Sequence, residues 1–319
     1  SGISFSGSGA SRSITIVPAS GQVGSGDINV IVEDADGAQA YISFMVTVDF
    51  AIEAGADQSI CSGSNANLTA TVTDNTTGGA VVSLAWTPSA TLSCDDCLAP
   101  TASTTTTTTF TISATSPTGC VVADSVQVTI LPTPTITAVN DTTVCAGSSL
   151  AYAFTASAGS IAWTNSNTSI GLAGSGSGNI ASFATVNAGA TAATANISVT
   201  ATDNGCTSLA ENFTITVNPL PTVTNGTTQA VDHGDVVAEV ATAGNLGGSA
   251  TYAWTNSNTT IGLGASGTGN VPQFTAANTT AYLQTGLITV SATANGCNGP
   301  AQTYEVSVTP VATVDAVAD

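Results

Sequence analysis

The sequence contains no lysine, and its only basic side chains are Arg12 and the single histidine, His233. Twenty acidic residues give a formal net charge of −19. A nucleic-acid-binding surface needs cations that neutralise phosphates, and an anionic membrane surface attracts basic segments. The charge therefore excludes a nucleic-acid partner and predicts repulsion from anionic membranes, while it favours solubility of a surface protein.

Long apolar runs and helical periodicity are also missing. The longest apolar stretch, residues 41–52, alternates with polar residues and carries Asp49, so it is too short and too polar to span a bilayer. We therefore expect no membrane insertion. Short runs rich in Thr and Val alternate with Gly, Asn and Ser instead, which is typical of strands and turns. Among the predicted strands are residues 67–72, residues 105–114 together with the Thr run at 104–109, and residues 121–131. The sequence predicts an all-β fold.

An internal repeat organises the chain. The stretch WTNSNTSIGL at residues 163–172 returns as WTNSNTTIGL at residues 254–263, an offset of 91 residues. Gly205-Cys206 and Gly296-Cys297 share the same offset, and a looser copy begins at Trp86. Such self-similarity is the signature of a tandem array of small units.

Strand signals and Pro-rich linkers divide this array. We expect immunoglobulin/PKD-like β-sandwiches in an extended array, since short strands recur at even spacing with Gly/Asn turns. No signal peptide is visible, and the first residues read as the middle of a domain, so we expect a mature fragment of a longer protein. The predicted segments are 1–50 (the C-terminal half of a sandwich), 51–131, 132–218 and 219–310 (repeats 2, 3 and 4), and 311–319 (the start of a further repeat).

Several short motifs resemble those of a known family. They are the Cys-x-Gly turns at Cys61 and Cys145, the Gly-Cys pairs, the LSCDDC segment followed by a Thr run, and WTNSNTSIGL. Together they resemble PKD-like repeats of very long secreted Bacteroidetes proteins, which include gliding-motility adhesins exported by type IX secretion. The resemblance covers about residues 51–310 and implies an extracellular or cell-surface location.

The seven cysteines suggest an oxidising compartment. Cys94 and Cys97 are predicted to form a local disulfide, because a zinc site would need a second pair of ligands. The other five cysteines leave two schemes open. In a sandwich of immunoglobulin topology, the two cysteine positions of one repeat lie at opposite ends, whereas a disulfide requires Cα atoms within about 7 Å. Clamps between neighbouring repeats would instead join Cys61–Cys206 and Cys145–Cys297. Bonds within repeats would join Cys61–Cys120 and Cys145–Cys206.

Other candidate sites are weaker. Asp34 and Asp36 in a DADG turn resemble calcium ligands, although Asp-Gly is also a common hairpin signal. His233 has acidic neighbours, but its turn is not repeated elsewhere in the chain, so we expect no catalytic residue.

Two further features concern modification and the core. Family resemblance implies O-linked sugars in Asp-Ser/Thr sequences, here at Ser125 and Thr142. One Trp per repeat, at equivalent positions, is predicted to lie in each sandwich core; the three are Trp86, Trp163 and Trp254.

These features predict the structural stalk of a large secreted cell-surface adhesin, not an enzyme, with no cofactor other than calcium. The neighbouring repeats would be its main partners, and a glycan or protein ligand would bind through other regions. A subunit of an extracellular filament or sheath, and a carbohydrate-binding accessory module, are the alternative hypotheses.

Overall fold

The computed structural model describes residues 2–6, 13–17, 23–48, 50–74, 83–116, 119, 121–224 and 226–311. Arg12, Cys120 and residues 312–319, where a further repeat was predicted, lie outside these ranges. The chain divides into two compact units, which are described one at a time. The first comprises Ser1–Thr133 with Asp203–Thr207, and the second comprises Pro134–Thr202 with Ser208–Asp319.

The first unit begins with two antiparallel hairpins, β1–β2 and β3–β4, and continues as a sandwich built from β5 to β12. Its larger sheet has the order β6-β12-β11-β9, and two smaller pairs, β5-β8 and β7-β10, form the other face. The strands are β1 (Gly2–Ser6), β2 (Ser13–Val17), β3 (Gly24–Glu33), β4 (Gln39–Val48), β5 (Phe50–Glu53), β6 (Gln58–Cys61), β7 (Ala66–Asn67), β8 (Thr71–Asp74), β9 (Ser83–Thr87), β10 (Thr101–Ala102), β11 (Thr108–Thr115) and β12 (Val121–Leu131).

Repeat 3 has the same plan. Its larger sheet has the order β13-β20-β18-β15-β16, with β19 paired to β18, and β14 pairs with β17 on the other face. The elements are β13 (Thr142–Cys145), β14 (Ser149–Tyr152), β15 (Ser160–Asn165), the 3₁₀ helix η1 (Thr168–Ile170), β16 (Ser175–Ser177), β17 (Ile180–Ala184), β18 (Ala193–Asp203), β19 (Cys206–Thr207) and β20 (Glu211–Asn218).

Repeat 4 copies repeat 3, with a larger sheet β21-β28-β26-β23-β24, β27 paired to β26, and a β22-β25 pair opposite. Its elements are β21 (Gln229–Asp232), β22 (Val236–Val237), η2 (Gly247–Ser249), β23 (Thr251–Asn256), η3 (Thr259–Ile261), β24 (Ser266–Thr268), β25 (Phe274–Thr275), β26 (Gln284–Ala294), β27 (Cys297–Asn298) and β28 (Gln302–Thr309).

In each of these three sandwiches the first strand of the larger sheet pairs in parallel with the last strand. The register places Cys61 opposite Leu131, Cys145 opposite Asn218, and Asp232 opposite Thr309. All the other strand pairs are antiparallel among the described residues. This order, with two packed sheets around an aliphatic core, is immunoglobulin-like. The protein is a tandem series of immunoglobulin-like β-sandwich domains.

Each sandwich has its own core, produced by period-2 alternation of the strands. Strand β11 alternates buried and partly exposed positions from Phe110 onward, and β18 and β26 do the same. Trp86, Trp163 and Trp254 are 1%, 7% and 5% exposed, and each belongs to a different core cluster. The buried aliphatic layers provide most of the stabilising free energy, at about 25 cal/mol per Å² of apolar surface.

The structure departs from the sequence prediction at the Thr-rich strand of repeat 2. The Thr run at residues 104–109 was predicted to belong to a strand, but β11 begins only at Thr108. Thr104 precedes a bend at residues 105–106, and its hydroxyl donates to the Thr106 carbonyl at 2.8 Å and contacts the Thr108 hydroxyl at 2.8 Å. Short hydroxyl side chains compete for local backbone groups in this way, and β propensity alone does not reveal it.

A buried tyrosine predicts how alkaline pH affects repeat 4. Burial raises the pKa of Tyr304 above its ordinary value of 10.0. The folded state therefore binds this proton more tightly than the unfolded state does. The contribution of the protonated Tyr304 to the free energy of unfolding is fully present below about pH 10 and is lost as pH rises through the folded pKa. Tyr304→Phe copies Phe213, which lies 91 residues earlier, and should lose less stability between about pH 9 and pH 11 than the parent chain.

Urea unfolding followed by tryptophan fluorescence measures this difference. Tyr41→Phe is the control, because Tyr41 is 81% exposed. Equal pH dependence of the Tyr304 variant and the parent chain would contradict the prediction.

Candidate functional site

Two long-range disulfides connect residues that belong by sequence to neighbouring repeats. Cys61 bonds to Cys206 with a Cα separation of 5.5 Å, and Cys145 bonds to Cys297 with a Cα separation of 5.6 Å. The alternative pairing within repeats, Cys61 with Cys120 and Cys145 with Cys206, is therefore wrong. A third disulfide, Cys94–Cys97, closes a local loop with a Cα separation of 6.0 Å.

The parallel strand pairing explains why the bonds within repeats do not form. Cys61 and Cys145 each end the first strand of a larger sheet and lie opposite the end of the last strand. Within repeat 3, Val217 of β20 pairs with Ala193 at the start of β18, so Asn218 lies just beyond that end of the sheet. The turn that carries Cys206 follows the other end of β18. Cys145 and Cys206 thus lie at opposite ends of one sheet.

The partner cysteines follow tight turns. Asn204 and Gly205 have φ of 47° and 83°, and Asn295 and Gly296 have φ of 50° and 77°. Positive φ at both central residues is what a type I′ hairpin turn requires, and Asn-Gly is its preferred sequence. In repeat 4 the register then pairs Cys297 with Ala294. The Asn-Gly-Cys sequence therefore presents a cysteine at the tip of a hairpin, and both tip cysteines are buried, at 0% and 1% exposure.

The junction between repeats 3 and 4 lies wholly in the second compact unit and has polar contacts beside the disulfide. The Asn218 side chain donates to the Asn295 carbonyl at 3.4 Å. Asn245 holds the linker, because its Nδ2 donates to the Leu220 carbonyl at 3.1 Å and its Oδ1 accepts from Thr222 N at 2.8 Å. Pro219 and Pro221 in this linker are buried. A proline-stiffened linker, an amide brace and a disulfide thus act together at one junction.

At the other end of repeat 4 an acidic residue takes the place of the clamp cysteine. Asp232 occupies the position of Cys145, and it accepts a short hydrogen bond from the Thr309 hydroxyl. Its backbone N donates to Asp235 Oδ2 at 2.9 Å. Nδ1 of His233 accepts from Asn278 N at 2.9 Å, beside a shallow hollow of about 340 Å³. Nδ1 therefore already accepts a backbone hydrogen bond, and no nucleophilic side chain among the described residues is hydrogen-bonded to the imidazole ring.

The most strictly repeated stretch, WTNSNT, ends β15 and leads into a loop that is held by its own asparagines. Asn165 is 8% exposed, and its amide donates to the Leu172 and Ala173 carbonyls at 3.0 and 3.2 Å. Its Oδ1 accepts from Asn167 N at 2.9 Å, and Asn167 in turn caps η1. Asn256 and Asn258 repeat the arrangement in repeat 4. Sequence reasoning found this motif but missed its role, which is to satisfy the polar backbone of a loop that covers the core.

The calcium candidates lie in the β3–β4 hairpin. Oδ1 of Asp34 accepts from Asp36 N at 3.0 Å and from Ala38 N at 2.9 Å, so this carboxylate already caps the turn. The described residues contain no group of three or more His, Cys, Asp or Glu that could hold a metal ion. Calcium binding at Asp34 and Asp36 stays a prediction.

The two candidate glycosylation residues differ in exposure. Ser125 is exposed on β12, whereas Thr142 on β13 is half-buried. The adjacent acids have structural roles, because Asp124 Oδ2 accepts from Ala54 N at 2.8 Å and Asp141 Oδ1 accepts from Thr214 N at 2.7 Å. Ser125 is therefore the more accessible of the two hydroxyls.

The tryptophans face inward. The indole N–H of Trp86 donates to the Cys97 carbonyl at 2.8 Å, and that of Trp254 donates to the Asn270 carbonyl at 3.1 Å. Gly176 and Gly267 on the neighbouring edge strands lie against the indole rings of Trp163 and Trp254, where a Cβ would collide with the ring. The rings are consequently covered on the side where a sugar platform would need to be open.

Comparisons with known proteins give fold likeness only. No family model and no curated protein matches the chain. A three-domain titin fragment (I67–I69) is 11% identical with a TM-score of 0.49, covering 84% of this chain and 100% of its own. Sidekick-1 immunoglobulin domains 1–5 are 12% identical with a TM-score of 0.32, covering 96% and 70%. The human desmocollin-1 ectodomain is 10% identical with a TM-score of 0.33, covering 87% and 66%. Because these TM-scores are all below 0.5, the immunoglobulin-like fold is assigned from the strand order described above and not from these likenesses.

None of the helices in the described ranges has the length and apolar character required to cross a membrane.

The Asn loop gives a stability prediction. Asn165→Ala removes the amide that satisfies two carbonyls and one N–H under the loop, so we expect repeat 3 to lose about 1–3 kcal/mol. Faster hydrogen exchange should appear first in peptides covering residues 166–173. Asn212→Ala is the matched control, because Asn212 is exposed in the same repeat. Equal exchange in both variants would contradict the assigned role.

The junction gives a second prediction. Gly299 lies against the Pro221 carbonyl, and a Cβ there would overlap it. Gly299→Ala should therefore displace the linker and cost about 1–3 kcal/mol, with faster exchange in residues 219–224. Gly248→Ala adds the same methyl group where no atom lies within 4 Å and should change neither quantity. If Gly299→Ala changed neither the stability nor the exchange rate of residues 219–224, the prediction would be wrong, because the linker would then move aside without cost.

Proposed function

We propose that this chain is the structural repeat region, or stalk, of a large secreted protein that is displayed on a bacterial cell surface and acts in adhesion. One observation carries the proposal: the residues repeated most strictly all hold the domains closed or hold them together. Trp163 fills a core, Asn165 closes a loop, and Cys297 forms a bridge to a neighbouring repeat. Repetition of residues that serve the structure is what an array of domains needs.

Redox chemistry and charge support an extracellular location. Three disulfides persist only in an oxidising compartment. A net charge of −19 keeps an exposed protein soluble and discourages association with anionic surfaces. The PKD-like motifs further suggest a Bacteroidetes adhesin that is exported by type IX secretion and linked to gliding motility.

The parallel pairing of first and last strands suits a mechanical role. Because these strands run in the same direction, tension applied at the two ends of a domain pulls them past each other. Four residue pairs in β21 and β28 then resist together instead of opening one after another. The rate of unfolding governs forced extension, so such a ladder delays it.

Surface labelling tests the location and class of the protein. An antibody raised against this chain should label intact cells of the source organism, and the label should disappear after external protease treatment. Inactivation of the type IX translocon should abolish labelling while leaving the intracellular precursor detectable, and loss of a periplasmic marker serves as the lysis control. Labelling confined to permeabilised cells would refute the proposal.

The alternative functions give different results with the purified chain. Regular fibres in negative stain at micromolar concentration would favour a filament or sheath subunit. Saturable binding to a glycan array, abolished by competing free sugar, would favour a carbohydrate-binding module. A stalk gives neither.

A further inference from the structure

The two long disulfides overlap along the chain. Their cysteines occur in the order 61, 145, 206 and 297, and the first bonds to the third while the second bonds to the fourth. The loop closed by each bridge, of 145 and 152 residues, therefore begins or ends inside the other loop. Bonds within repeats would have produced two separate loops instead.

This overlap changes the covalent path through the protein. Three backbone segments, 61–145, 145–206 and 206–297, all run between the same two bridges. Tension that reaches one bridge is transmitted to the other by these segments in parallel. The shortest segment, 145–206, has 61 residue steps and becomes taut first, so the two longer segments remain slack.

We propose that the overlapping disulfides are an extension lock, which limits the length of the chain even when every domain has unfolded. The shortest covalent path runs along residues 1–61, crosses to 206, returns to 145, crosses to 297 and ends at 319. It has about 143 residue steps instead of 318. At 3.3–3.6 Å per residue, the fully extended chain measures about 500 Å instead of about 1,100 Å.

The lock is redundant, because either bridge alone still bypasses nearly half of the chain. Loss of Cys145–Cys297 lengthens the shortest path by about 30 residues, and loss of Cys61–Cys206 lengthens it by about 23. Loss of both lengthens it by about 175 residues. In distance these changes are about 100 Å, 80 Å and 600 Å. The effects of the two bridges are thus strongly non-additive.

Burial protects the lock in the folded protein. Cys206 and Cys297 are 0% and 1% exposed, and exchange requires a thiolate to reach a disulfide sulfur. Unfolding exposes both bridges to reductant. The lock would serve the stalk role proposed above, although it rests on disulfide connectivity alone, and surface labelling tests the stalk role separately.

Single-molecule force spectroscopy on the full chain, held at both termini without reductant, tests the proposal. All chains carry Cys120→Ser, so that this thiol cannot exchange with the bridges. The chain with both long bridges should reach about 500 Å. Cys145→Ser/Cys297→Ser should add about 100 Å and Cys61→Ser/Cys206→Ser about 80 Å, whereas all four substitutions together should add about 600 Å.

Cys94→Ser/Cys97→Ser is the matched control. It removes a bridge of sequence separation 3, so its extension should equal that of the parent chain within about 10 Å.

Reduction under force provides a second measurement that does not depend on folding of the variants. The unfolded chain is held at constant force while a dithiol reductant becomes oxidised and converts each bridge into two thiols. The first long bridge to break should lengthen the chain by about 80–100 Å, and the second by about 500 Å. In these Cys120→Ser chains, bonding within repeats would leave only Cys145–Cys206. An extension of about 900 Å before reduction followed by a single step of about 200 Å would therefore overturn the proposal, and so would an extension of about 1,100 Å before reduction.

Discussion

The parallel pairing between the first and last strands of each sandwich is the constraint on which the rest of the structure depends. It brings the end of the first strand beside the point where the chain leaves the domain, so Cys145 lies opposite Asn218. A cysteine there is far from the hairpin tip of its own repeat and close to the linker that follows. In the second compact unit, the tip of the next hairpin reaches the same place, where Asn218 bonds to Asn295. The disulfide pattern follows from strand direction.

The lack of cations shapes the polar chemistry as strongly. The described residues include no Lys or Arg, so ion pairs with these side chains do not stabilise them. Carboxylates instead accept from backbone N–H groups, as Asp57 does from Gln127 and Asp141 does from Thr214, at 2.8 and 2.7 Å. Both acids precede a first strand and bond to the last strand of the same repeat. Such charge-assisted bonds are stronger than neutral ones, and they reinforce the parallel pairing without any partner of opposite sign.

Much of this architecture could be predicted from the sequence, because period-2 alternation and Asn-Gly turns are local signals. Strand β12 has the predicted bounds, Val121 and Leu131. The strand expected at residues 67–72 is instead divided into β7 and β8, because its pairing partners β10 and β5 are distant in sequence and meet it only in the folded sheet. The role of Asn165 was not predicted for a similar reason. The sequence WTNSNT alone does not indicate that the following loop folds back over Asn165. Only the hydrogen bonds from the Asn165 amide to the Leu172 and Ala173 carbonyls show this arrangement.

Comparison of repeat 4 with repeat 3 shows whether the fold of a single repeat depends on the cysteine that forms the clamp. Asp232 stands where repeat 3 has Cys145, yet β21 keeps the same four-residue register with β28 that β13 keeps with β20. The fold of a repeat therefore does not need the cysteine, since a carboxylate bonded to Thr309 fills the same position. Cys297, by contrast, retains its partner in the preceding repeat even though its own repeat lacks the clamp position. The cysteines thus follow the junctions and not the individual domains, which is the distribution expected if their role is to connect repeats.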